Sequence, residues 1–382
     1  MIKIMMSAGE VSGDIHGAML AKELLKNNPS LHLFGMGGEN MRAAKVKTEV
    51  DVTSKGTIGI LETFKHLPHV LFAFFEMVKL LKREKPDLLV LIDFQGFNMM
   101  LAKRAKKMGI KTVYYIPPQE WLWGTEKGIK NVVNTIDKLL CIFEPEAKIY
   151  KKYGANAIYV GNPNFDTARP SMSKEDFCKM FGLNPKFPII GIFPGSRSQE
   201  IESLMPIFIE SSKIIKDSIP NAQFMIAASS TVFKEKIEQI SKKHNSKIPI
   251  VLGKSHDLLN VSNIAIAASG TITMEAAILN TPIIMAYKLS KFTEFLAKNI
   301  LKINLPYFTM PNILLNRMVI PEFIQDKANP ENLAREAIKF LTSPELTKKI
   351  KNDYILVRNK LGPSNAVRRA AEEIFYELRG KI

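Results

Sequence analysis

The sequence predicts an α/β protein with two Rossmann-like, doubly wound parallel-sheet domains, an interdomain cleft and C-terminal helices. Short apolar runs alternate with longer segments of helical periodicity, and this alternation occurs twice along the chain. Residues 161–174, which contain Pro, Asn and Ser, interrupt the alternation between the two series. Because strands that alternate with helices pair in parallel, each series predicts one sheet covered by helices. We expect a ligand to bind in the cleft between the two halves.

The predicted strands are short and rich in aliphatic or β-branched residues. In the first half they span residues 2–6, 31–34, 88–92, 112–116 and 138–143. In the second half they span residues 189–193, 223–227, 248–252, 264–267 and 282–286. These positions predict a first domain at residues 1–165 and a second at residues 174–342.

The C-terminal part of the chain, residues 343–382, is helical in pattern. Pro344 and Pro363 mark helix starts, because the fixed φ of proline suits the first turn of a helix and no amide hydrogen is needed there. We expect these helices to pack back on the first domain.

The chain carries a large excess of positive charge. Its 382 residues include 53 Lys and Arg against 37 Asp and Glu, a formal net charge of +16. Such a balance favours an anionic partner, which is a nucleic acid, an acidic membrane surface or a phosphorylated substrate. The cations are scattered and no RNP1-type motif is present, so we expect no nucleic-acid partner.

The cysteine content and the hydropathy of the sequence indicate where in the cell the protein is expected. The two cysteines, Cys141 and Cys178, argue against a disulfide framework and favour a reducing compartment. The CxxC and HExxH spacings are missing, so we expect no metal. No apolar run reaches the about 18 residues of a membrane span, and the first residues predict a strand rather than a signal peptide. These features predict a cytoplasmic protein.

The most informative motif is Pro-Gly-Ser-Arg at residues 194–197, hereafter the 194–197 turn, which links a predicted strand to a predicted helix. Gly195 lets the backbone approach a ligand, Ser196 offers a hydroxyl, and Arg197 presents a fixed positive fork to phosphate oxygens. The helix N-terminus adds partial positive charge. The pattern predicts a phosphate site, and an ordinary turn with a solvated Arg197 is the alternative.

A glycine-rich loop follows the first predicted strand and reads Ser-Ala-Gly-Glu-Val-Ser-Gly-Asp-Ile-His-Gly at residues 7–17. Because the GxGxxG spacing is absent, we expect neither nicotinamide nor flavin, and no cofactor at all. Three glycines beside two carboxylates and a histidine predict a substrate-binding loop, and a helix cap is the alternative. The candidate residues are Gly9, Glu10, Ser12, Gly13, Asp14 and His16.

Two further motifs follow strands of the first half. Asp93 stands at the end of a predicted buried strand, where a carboxylate accepts a proton, fixes a sugar hydroxyl or only caps the next helix. Residues 115–123 hold both tryptophans, Trp121 and Trp123. Their faces suit a sugar ring, an acyl chain or a packed loop core.

In the second half, residues 268–275 read Ala-Ser-Gly-Thr-Ile-Thr-Met-Glu and open a predicted helix. Gly270 and Thr271 offer backbone and hydroxyl donors to a phosphate. Glu275, about one turn further on, can hold a ribose diol. An ordinary capped helix is the alternative.

Together these motifs resemble the lipid-A-disaccharide synthases, inverting glycosyltransferases of the two-domain GT-B type. The resemblance covers most of the chain and rests on residues 8–14, 35–38 with Met41, 92–93, 194–197, 269–271 with Glu275, and 310–314. The family often shows Ile-Asp-x-Pro-Asp-Phe-Asn, but Gln95 and Gly96 replace the Pro and the second Asp here. Residues 117–123 read Pro-Pro-Gln-Glu-Trp-Leu-Trp where the family has Ser-Pro-x-x-Trp-Ala-Trp.

The resemblance implies transfer of a 2,3-diacylglucosamine unit from its UDP donor to the 6-hydroxyl of 2,3-diacylglucosamine 1-phosphate, which gives a β-1,6 disaccharide and UDP. The reaction needs a base for the hydroxyl and positive charge on the departing diphosphate. GT-B enzymes generally dispense with a divalent metal.

The resemblance also implies roles for individual residues. Asp93 is the base or its orienting partner, and the less certain acceptor-side candidates are Glu10, Asp14 and His16. The residues implied for UDP are Arg197, with Gly195 and Ser196, the helix start at Ser269, Gly270 and Thr271, then Glu275, Asn312 and Arg317.

An apolar segment at residues 58–83 is a candidate surface for the acyl chains. Its apolar residues are Ile58, Ile60, Leu61, Phe64, Leu67, Val70, Leu71, Phe72, Phe74, Phe75 and Met77, and Lys79, Lys82 and Arg83 follow closely. Apolar residues beside cations suit a helix on an anionic leaflet, so we expect a peripheral protein on the inner face of the inner membrane. A core helix of the first domain is the alternative.

Other functions stay open at this point. Another GT-B UDP-sugar glycosyltransferase or a UDP-sugar epimerase would share the phosphate turns of the second half, with a different motif at residues 8–14. A noncatalytic nucleotide-sugar or nucleic-acid binder is the alternative from another class. The oligomeric state is open, including a homodimer.

Overall fold

The computed structural model describes residues 1–51, 60–288 and 306–379, with only the backbone of residues 60–67 and Trp123. The chain divides into two units, Met1–Asp166 with Leu361–Ile382, and Thr167–Lys360. The division falls inside the stretch at residues 161–174. Each unit contains one parallel sheet covered by helices, which confirms the predicted fold class.

The first unit is built on a seven-stranded sheet with the order β3-β2-β1-β4-β5-β6-β7. The strands are β1 (Lys3–Ala8), β2 (His32–Met36), β3 (Lys47–Val50), β4 (Leu88–Ile92), β5 (Thr112–Tyr115), β6 (Lys138–Cys141) and β7 (Ala157–Tyr159). The strand order reverses between β1 and β4, where Ala8 lies opposite Ile92. The loops that follow these two strands therefore leave the sheet side by side.

The helices of the first unit connect these strands and cover the sheet. They are α1 (Val11–Asn27), α2 (Glu39–Ala43), α3 (Ile60–Glu84), α4 (Gln95–Lys107), α5 (Glu120–Trp123), α6 (Glu126–Thr135), α7 (Glu144–Lys152) and, at the boundary with the second unit, α8 (Asn164–Thr167). The aliphatic run of β4 is buried along its whole length, as expected for a central parallel strand.

The second unit is built on a six-stranded sheet with the order β10-β9-β8-β11-β12-β13. Its strands are β8 (Ile189–Phe193), β9 (Gln223–Ala228), β10 (Ile250–Leu252), β11 (Ile264–Ala268), β12 (Ile283–Tyr287) and β13 (Glu322–Ile324). The order reverses between β8 and β11, where Ala267 lies opposite Phe193. This sheet thus repeats the switch point of the first.

The helices of the second unit are α9 (Lys174–Phe181), α10 (Ser198–Ser218), α11 (Thr231–Lys243), α12 (Ser255–Val261), α13 (Ile272–Leu279), α14 (Met310–Leu315), α15 (Pro330–Thr342) and α16 (Pro344–Leu361). Residues 344–360 of α16 belong to this unit, whereas we expected all of residues 343–382 on the first domain. The reason lies in side-chain contacts: Asp353 pairs with Arg317, and Arg358 donates to the carbonyl of Ala277 at 2.8 Å.

The last helix, α17 (Ala366–Glu377), belongs to the first unit. Lys138 on β6 is 2% exposed and pairs with Glu373 at 2.5 Å and Glu377 at 3.0 Å, both on α17. A buried ammonium needs such partners, so this pair ties the helix to the sheet.

All ten predicted strands are present, and three further ones, β3, β7 and β13, lie at sheet edges. These edge strands have three or four residues and, in β3 and β13, no buried side chain, so they lack the apolar run that marks a central strand. Among the described residues, no helix has the length and hydropathy to cross a membrane.

Candidate functional site

Four of the predicted loops follow the strands at the two switch points. In the first unit they are the start of the 7–17 loop after β1 and the turn at Asp93 after β4. In the second unit they are the 194–197 turn after β8 and residues 269–271 after β11. Open α/β sheets bind ligands at this position, beyond the carboxyl ends of the strands.

The turn at Asp93 has an uncommon backbone that a buried network supports. Asp93 and Phe94 have φ values of +50° and +52°, the left-handed region that costs a non-glycine residue about 1–3 kcal/mol. The Asp93 carbonyl accepts hydrogen bonds from Asn98 Nδ2 at 2.7 Å and from the Tyr114 hydroxyl at 2.7 Å. Buried Asn98 in turn accepts a hydrogen bond from Ser7 Oγ at 2.7 Å. Side chains from β1, α4 and β5 thus form the network that holds the backbone of Asp93.

The 7–17 loop lies against this turn. A Cβ atom at Gly9 would overlap the ring of Phe94, so the approach of the two loops requires glycine. Ser12 Oγ donates to Asp93 Oδ2 at 3.4 Å. Burial raises the pKa of Tyr114, and the charges of Asp93 and Glu10 raise it further. The structure therefore brings Gly9 and Ser12 together with Asp93, and the charge of Glu10 acts on the same tyrosine.

The remaining candidates of the loop differ in their surroundings. His16 is half-buried on α1, and a side chain at Gly13 would make ordinary contacts with Ala8 and the Ile92 carbonyl. These contacts do not test the predicted roles of His16 on the acceptor side and of Gly13 in substrate binding.

Asp14 is a structural residue rather than an acceptor-side carboxylate. It is 3% exposed, and its oxygens accept hydrogen bonds from the amides of Gly38, Asn40 and Met41 at 2.7–3.0 Å. The Asn40 side chain donates a fourth hydrogen bond at 2.9 Å. These amides open α2, so the carboxylate caps that helix, and the alternative of a cap is the one that the structure favours.

The loop at residues 117–121 is packed into the first unit. The Trp121 indole donates to Gln119 Oε1 at 2.8 Å, and the Tyr150 hydroxyl donates to the Pro118 carbonyl at 2.6 Å. Gln119 also donates to Glu146, a fully buried residue whose pKa burial raises well above its usual value. The packed-core alternative therefore applies to Trp121, and the Trp123 side chain lies outside the described residues.

The 194–197 turn presents its polar groups to solvent. Gly195 has φ +114°, a left-handed conformation that favours glycine, and the Arg197 side chain is 47% exposed. The Ser196 amide donates to Glu200 Oε2 at 3.2 Å, and Arg197 Nη1 lies 3.3 Å from Glu200 Oε1. Glu200 is a partner that the sequence analysis missed, because an acidic residue in the first turn of a helix is commonplace.

The second loop of this switch point, residues 269–271 after β11, also has free space beside its backbone at Gly270. Gly270 has φ +156°, and a Cβ there would meet no atom within 4 Å. The Thr273 hydroxyl donates to the Gly270 carbonyl at 2.9 Å, which fixes the start of α13. Ser269 is half-buried, and Thr271 is exposed at the helix start.

Glu275 has a histidine partner that no motif revealed. His256 on α12 lies with Nε2 3.2 Å from Glu275 Oε2, and this hydrogen bond raises the pKa of His256. The two side chains are 28% and 16% exposed. The Glu275 carboxylate, which was predicted to hold a ribose, is therefore oriented by a hydrogen bond from His256.

Asn312 and Arg317, which were expected to contact the UDP donor, have partners within the fold. Asn312 is completely buried, its oxygen accepts from the amides of Val319 and Ile320, and its nitrogen donates to the Ile320 carbonyl and to Glu322. These bonds use the full capacity of the amide. Arg317 forms a bidentate pair with Asp353 at 2.6 and 3.1 Å. Both residues hold residues 310–322 and α16 in place, so we withdraw their assignment to UDP.

Helix α3 has one core face and one exposed apolar face over the part whose side chains are described. Ala73, Met77, Leu80 and Leu81 are buried in the first unit's core. Leu71, Phe72 and Phe75 are 44%, 66% and 60% exposed. Of the predicted apolar segment, residues 58–59 and the side chains of residues 60–67 lie outside the described residues.

Comparison with known proteins supports one family. The family model described as Lipid-A-disaccharide synthetase matches residues 4–375. A lipid-A-disaccharide synthase of Geobacter metallireducens is 36% identical over 379 residues, 99% of this chain and 98% of the relative. A lipid-A-disaccharide synthase of Coxiella burnetii is 33% identical over 371 residues, 97% of each chain.

Solved structures show the fold alone, since their sequence identities are low. Staphylococcus aureus MnaA, solved with UDP, matches with a TM-score of 0.69 at 13% identity over 99% of this chain and 97% of that one. A UDP-GlcNAc 2-epimerase of Neisseria meningitidis, bound to UDP-GlcNAc, matches with a TM-score of 0.65 at 14% identity over 98% of this chain and 100% of that one. With the family model and the curated relatives covering nearly all of its length, the chain belongs to the lipid-A-disaccharide synthetase family, as its motifs predicted.

Proposed function

We propose that this chain transfers a 2,3-diacylglucosamine unit from UDP-2,3-diacylglucosamine to the 6-hydroxyl of 2,3-diacylglucosamine 1-phosphate. The products are the β-1,6 lipid A disaccharide 1-phosphate and UDP. The match to the family model over residues 4–375 carries this proposal. The placement of Asp93 and Arg197 at the two switch points supports it.

The transfer breaks one bond and forms another at the same carbon. The acceptor oxygen attacks the anomeric carbon of the donor sugar, and the bond from that carbon to the diphosphate oxygen breaks with its electron pair staying on UDP. The hydroxyl proton goes to a base. Charge therefore develops at two places, the acceptor oxygen and the leaving diphosphate.

We assign the base to Asp93. Its backbone is held by Asn98 and Tyr114, so the carboxylate starts from a defined position. Its side chain is half-buried and accepts a hydrogen bond from Ser12 Oγ, so it lies at the end of β4 beside the 7–17 loop. Glu10, whose charge also acts on Tyr114, is the next candidate for the acceptor.

We assign the diphosphate to the 194–197 turn and to residues 269–271. Arg197 is exposed, and its guanidinium matches two phosphate oxygens. Gly270 lies in open space, which lets a phosphate approach the start of α13. Glu275, oriented by His256, would accept hydrogen bonds from the ribose hydroxyls.

Both substrates carry acyl chains, so the chain must work at a lipid surface. We propose that the exposed face of α3 with Leu71, Phe72 and Phe75 contacts the anionic inner face of the inner membrane. Lys79, Lys82 and Arg83 follow on the same helix and would attract acidic headgroups. Each cation near such a surface is worth about 1 kcal/mol.

The reaction is tested with the purified chain, both lipidated substrates and detergent. We expect the disaccharide and UDP to form together and only when both substrates are present. A mass spectrum of the product and an assay for UDP measure this. UDP release without acceptor, or interconversion of UDP-sugar epimers in place of transfer, would reject the proposal.

Membrane contact is tested with vesicles of acidic phospholipid. We expect the double substitution Phe72→Ser with Phe75→Ser to lower the bound fraction severalfold in a sedimentation assay. Val232→Ser, at a residue 70% exposed in the second unit, is the matched control. Equal loss in both variants, or in neither, would contradict a specific role for α3.

A further inference from the structure

The 194–197 turn already holds an anion within its own chain, the carboxylate of Glu200. Glu200 lies in the first turn of α10, and its side chain is only 9% exposed. One oxygen accepts the Ser196 amide at 3.2 Å, and the other lies 3.3 Å from Arg197 Nη1. A Cβ atom at Gly195 would overlap this carboxylate, so the turn closes tightly around it.

The groups that bind Glu200 are the ones that we assign to the donor diphosphate. An amide hydrogen directed at a buried carboxylate is not available to a phosphate at the same time. Both contacts are longer than the usual N–H···O distance of about 2.9–3.0 Å. They are therefore weak bonds that a stronger anion can replace.

The surroundings compensate the Glu200 charge only in part. Burial raises the pKa of Glu200, against the lowering effect of Arg197 and of the Ser196 and Arg197 amides. Burial raises the pKa of Tyr287 on β12, and the negative charge of Glu200 raises the pKa of this tyrosine further. Lys236 on α11 is bonded to Ser198 and Glu202 instead.

We propose that Glu200 is the resident anion of the 194–197 turn and that the donor diphosphate takes over its contacts with the Ser196 amide and the Arg197 guanidinium. This inference rests on the proposed UDP site. In the free chain Glu200 is a positioning residue, since it holds Arg197 beside the turn. On binding it is a competitor, and it sets how tightly the diphosphate is held.

Calorimetric titration with UDP tests the exchange. We expect Glu200→Gln to bind UDP about three- to tenfold more tightly than the unaltered chain, because a like charge is removed from the site. Glu202→Gln removes the same charge two residues further along α10, at a side chain 58% exposed, and we expect its affinity to stay within about twofold. Unchanged or weaker binding by the Glu200→Gln chain would overturn the inference.

A pH series on the unaltered chain provides a second readout that does not depend on a buried substitution. The probe is UDP-N-acetylglucosamine, whose diphosphate is a diester and keeps its charge across the series. A carboxyl with a raised pKa takes up its proton as the pH falls, so the competing charge disappears at low pH. We expect affinity to increase from pH about 8 to pH about 5.5 in the unaltered and Glu202→Gln chains, and the increase to be smaller in the Glu200→Gln chain.

The outcomes separate the two proposals. If the unaltered chain binds neither probe, the proposed UDP site is wrong and the exchange fails with it. If the unaltered chain binds UDP but the Glu200→Gln chain shows the same affinity and the same pH response, only the exchange is wrong. Thermal denaturation of each variant shows whether it is folded. If the Glu200→Gln chain is not folded, the pH series on the unaltered and Glu202→Gln chains decides. An affinity for UDP-N-acetylglucosamine that does not change with pH in these two chains would reject the exchange.

Discussion

The two switch points of the molecule have opposite chemistry on the same strand order. At the first, the Asp93 turn has a left-handed backbone whose carbonyl is held by Asn98 and Tyr114. At the second, the 194–197 turn and Gly270 are exposed, and the most prominent charge is the cation Arg197. One sheet therefore presents a carboxylate on a buried support, and the other presents a half-exposed guanidinium that pairs with Glu200.

This difference corresponds to what each end of a glycosyl transfer needs. A base acts over a single hydrogen bond, so its position must be defined before the acceptor arrives. A diphosphate brings two charges and a flexible linkage, so an accessible turn with a guanidinium is sufficient to bind it. The comparison predicts that substitutions at the first switch point act on the chemical step, and those at the second act on the donor.

The largest effect is expected at Asp93. Asp93→Asn keeps the shape of the side chain but removes the base, so kcat should fall by about 100- to 10,000-fold with little change in UDP affinity. Asp87→Asn is the matched control, because Asp87 lies before the opposite end of β4 and accepts the Lys3 amide at 2.9 Å. Steady-state kinetics and a UDP titration measure both. A rate within threefold of the unaltered chain would remove Asp93 from the mechanism.

Arg197 is expected to come next. Arg197→Ala removes one charged donor from the leaving diphosphate, so kcat/KM should fall by about 100-fold and UDP binding should weaken in parallel. Arg335→Ala, at an exposed arginine of α15 bonded to Asn332, should leave both unchanged. Normal UDP affinity combined with slow turnover would place Arg197 at the acceptor instead and break the comparison.

The support of the Asp93 turn is tested at Asn98. Asn98→Ala leaves Ser7 Oγ and the carbonyl of Ile92 without their partner, so the free energy of unfolding should fall by about 2–3 kcal/mol. If the network orients the base, kcat should also fall by about tenfold while KM stays the same. Ser7→Ala leaves only Asn98 Oδ1 without its donor and should cost less, about 1–2 kcal/mol.

Urea denaturation and kinetics on both variants separate stability from orientation. Loss of stability without loss of kcat would show that Asn98 only supports the fold.

The smallest effect is expected at His256, and it depends on pH. The pKa of His256 is raised in the folded chain by Glu275, so the pair stabilises the fold at low pH, and this contribution is lost as the pH rises through the raised pKa. His256→Gln should therefore lower the free energy of unfolding at pH about 6 by no more than about 1 kcal/mol, since the pair is partly exposed, and this appears as a lower Tm. At pH about 9 Tm should be unchanged. A pH-independent difference in Tm would contradict this pairing. In the His256→Gln chain, KM for the UDP donor should also rise a few-fold, because Glu275 loses the partner that orients it.

Much of the fold was predictable because its signals are local. The aliphatic run of β4 and the helical pattern after it identify a central parallel strand without any tertiary information. The same holds for Gly195, since its φ of +114° in the turn between a strand and a helix favours glycine. Gly9 differs, because glycine is required there by the Phe94 ring of another loop. The edge strands β3, β7 and β13 were not predictable, because they are short and the half-exposed residues of β13 carry no apolar pattern.

The roles of single polar residues were less predictable. Asp14 matches a functional motif, yet its partners are backbone amides of residues 38–41, which no side-chain pattern identifies. Asn312 satisfies its amide with the backbone at residues 319–320 in the same way. His256 shows the converse case, since nothing in the sequence around it points to Glu275.

The sequence by itself determined the α/β class, the ten strands with apolar runs, the loops at both switch points and the family, because periodicity, turn residues and motif spacing are properties of neighbouring residues. Only the tertiary structure decided which of those polar residues are engaged: Asp14, Asn312 and Arg317 with the fold, Asp93 with a buried support, and Arg197 with Glu200. The physical reason is that a hydrogen bond or an ion pair depends on distances of about 3 Å between groups, and the folded backbone sets those distances even for Arg197 and Glu200, which are three residues apart.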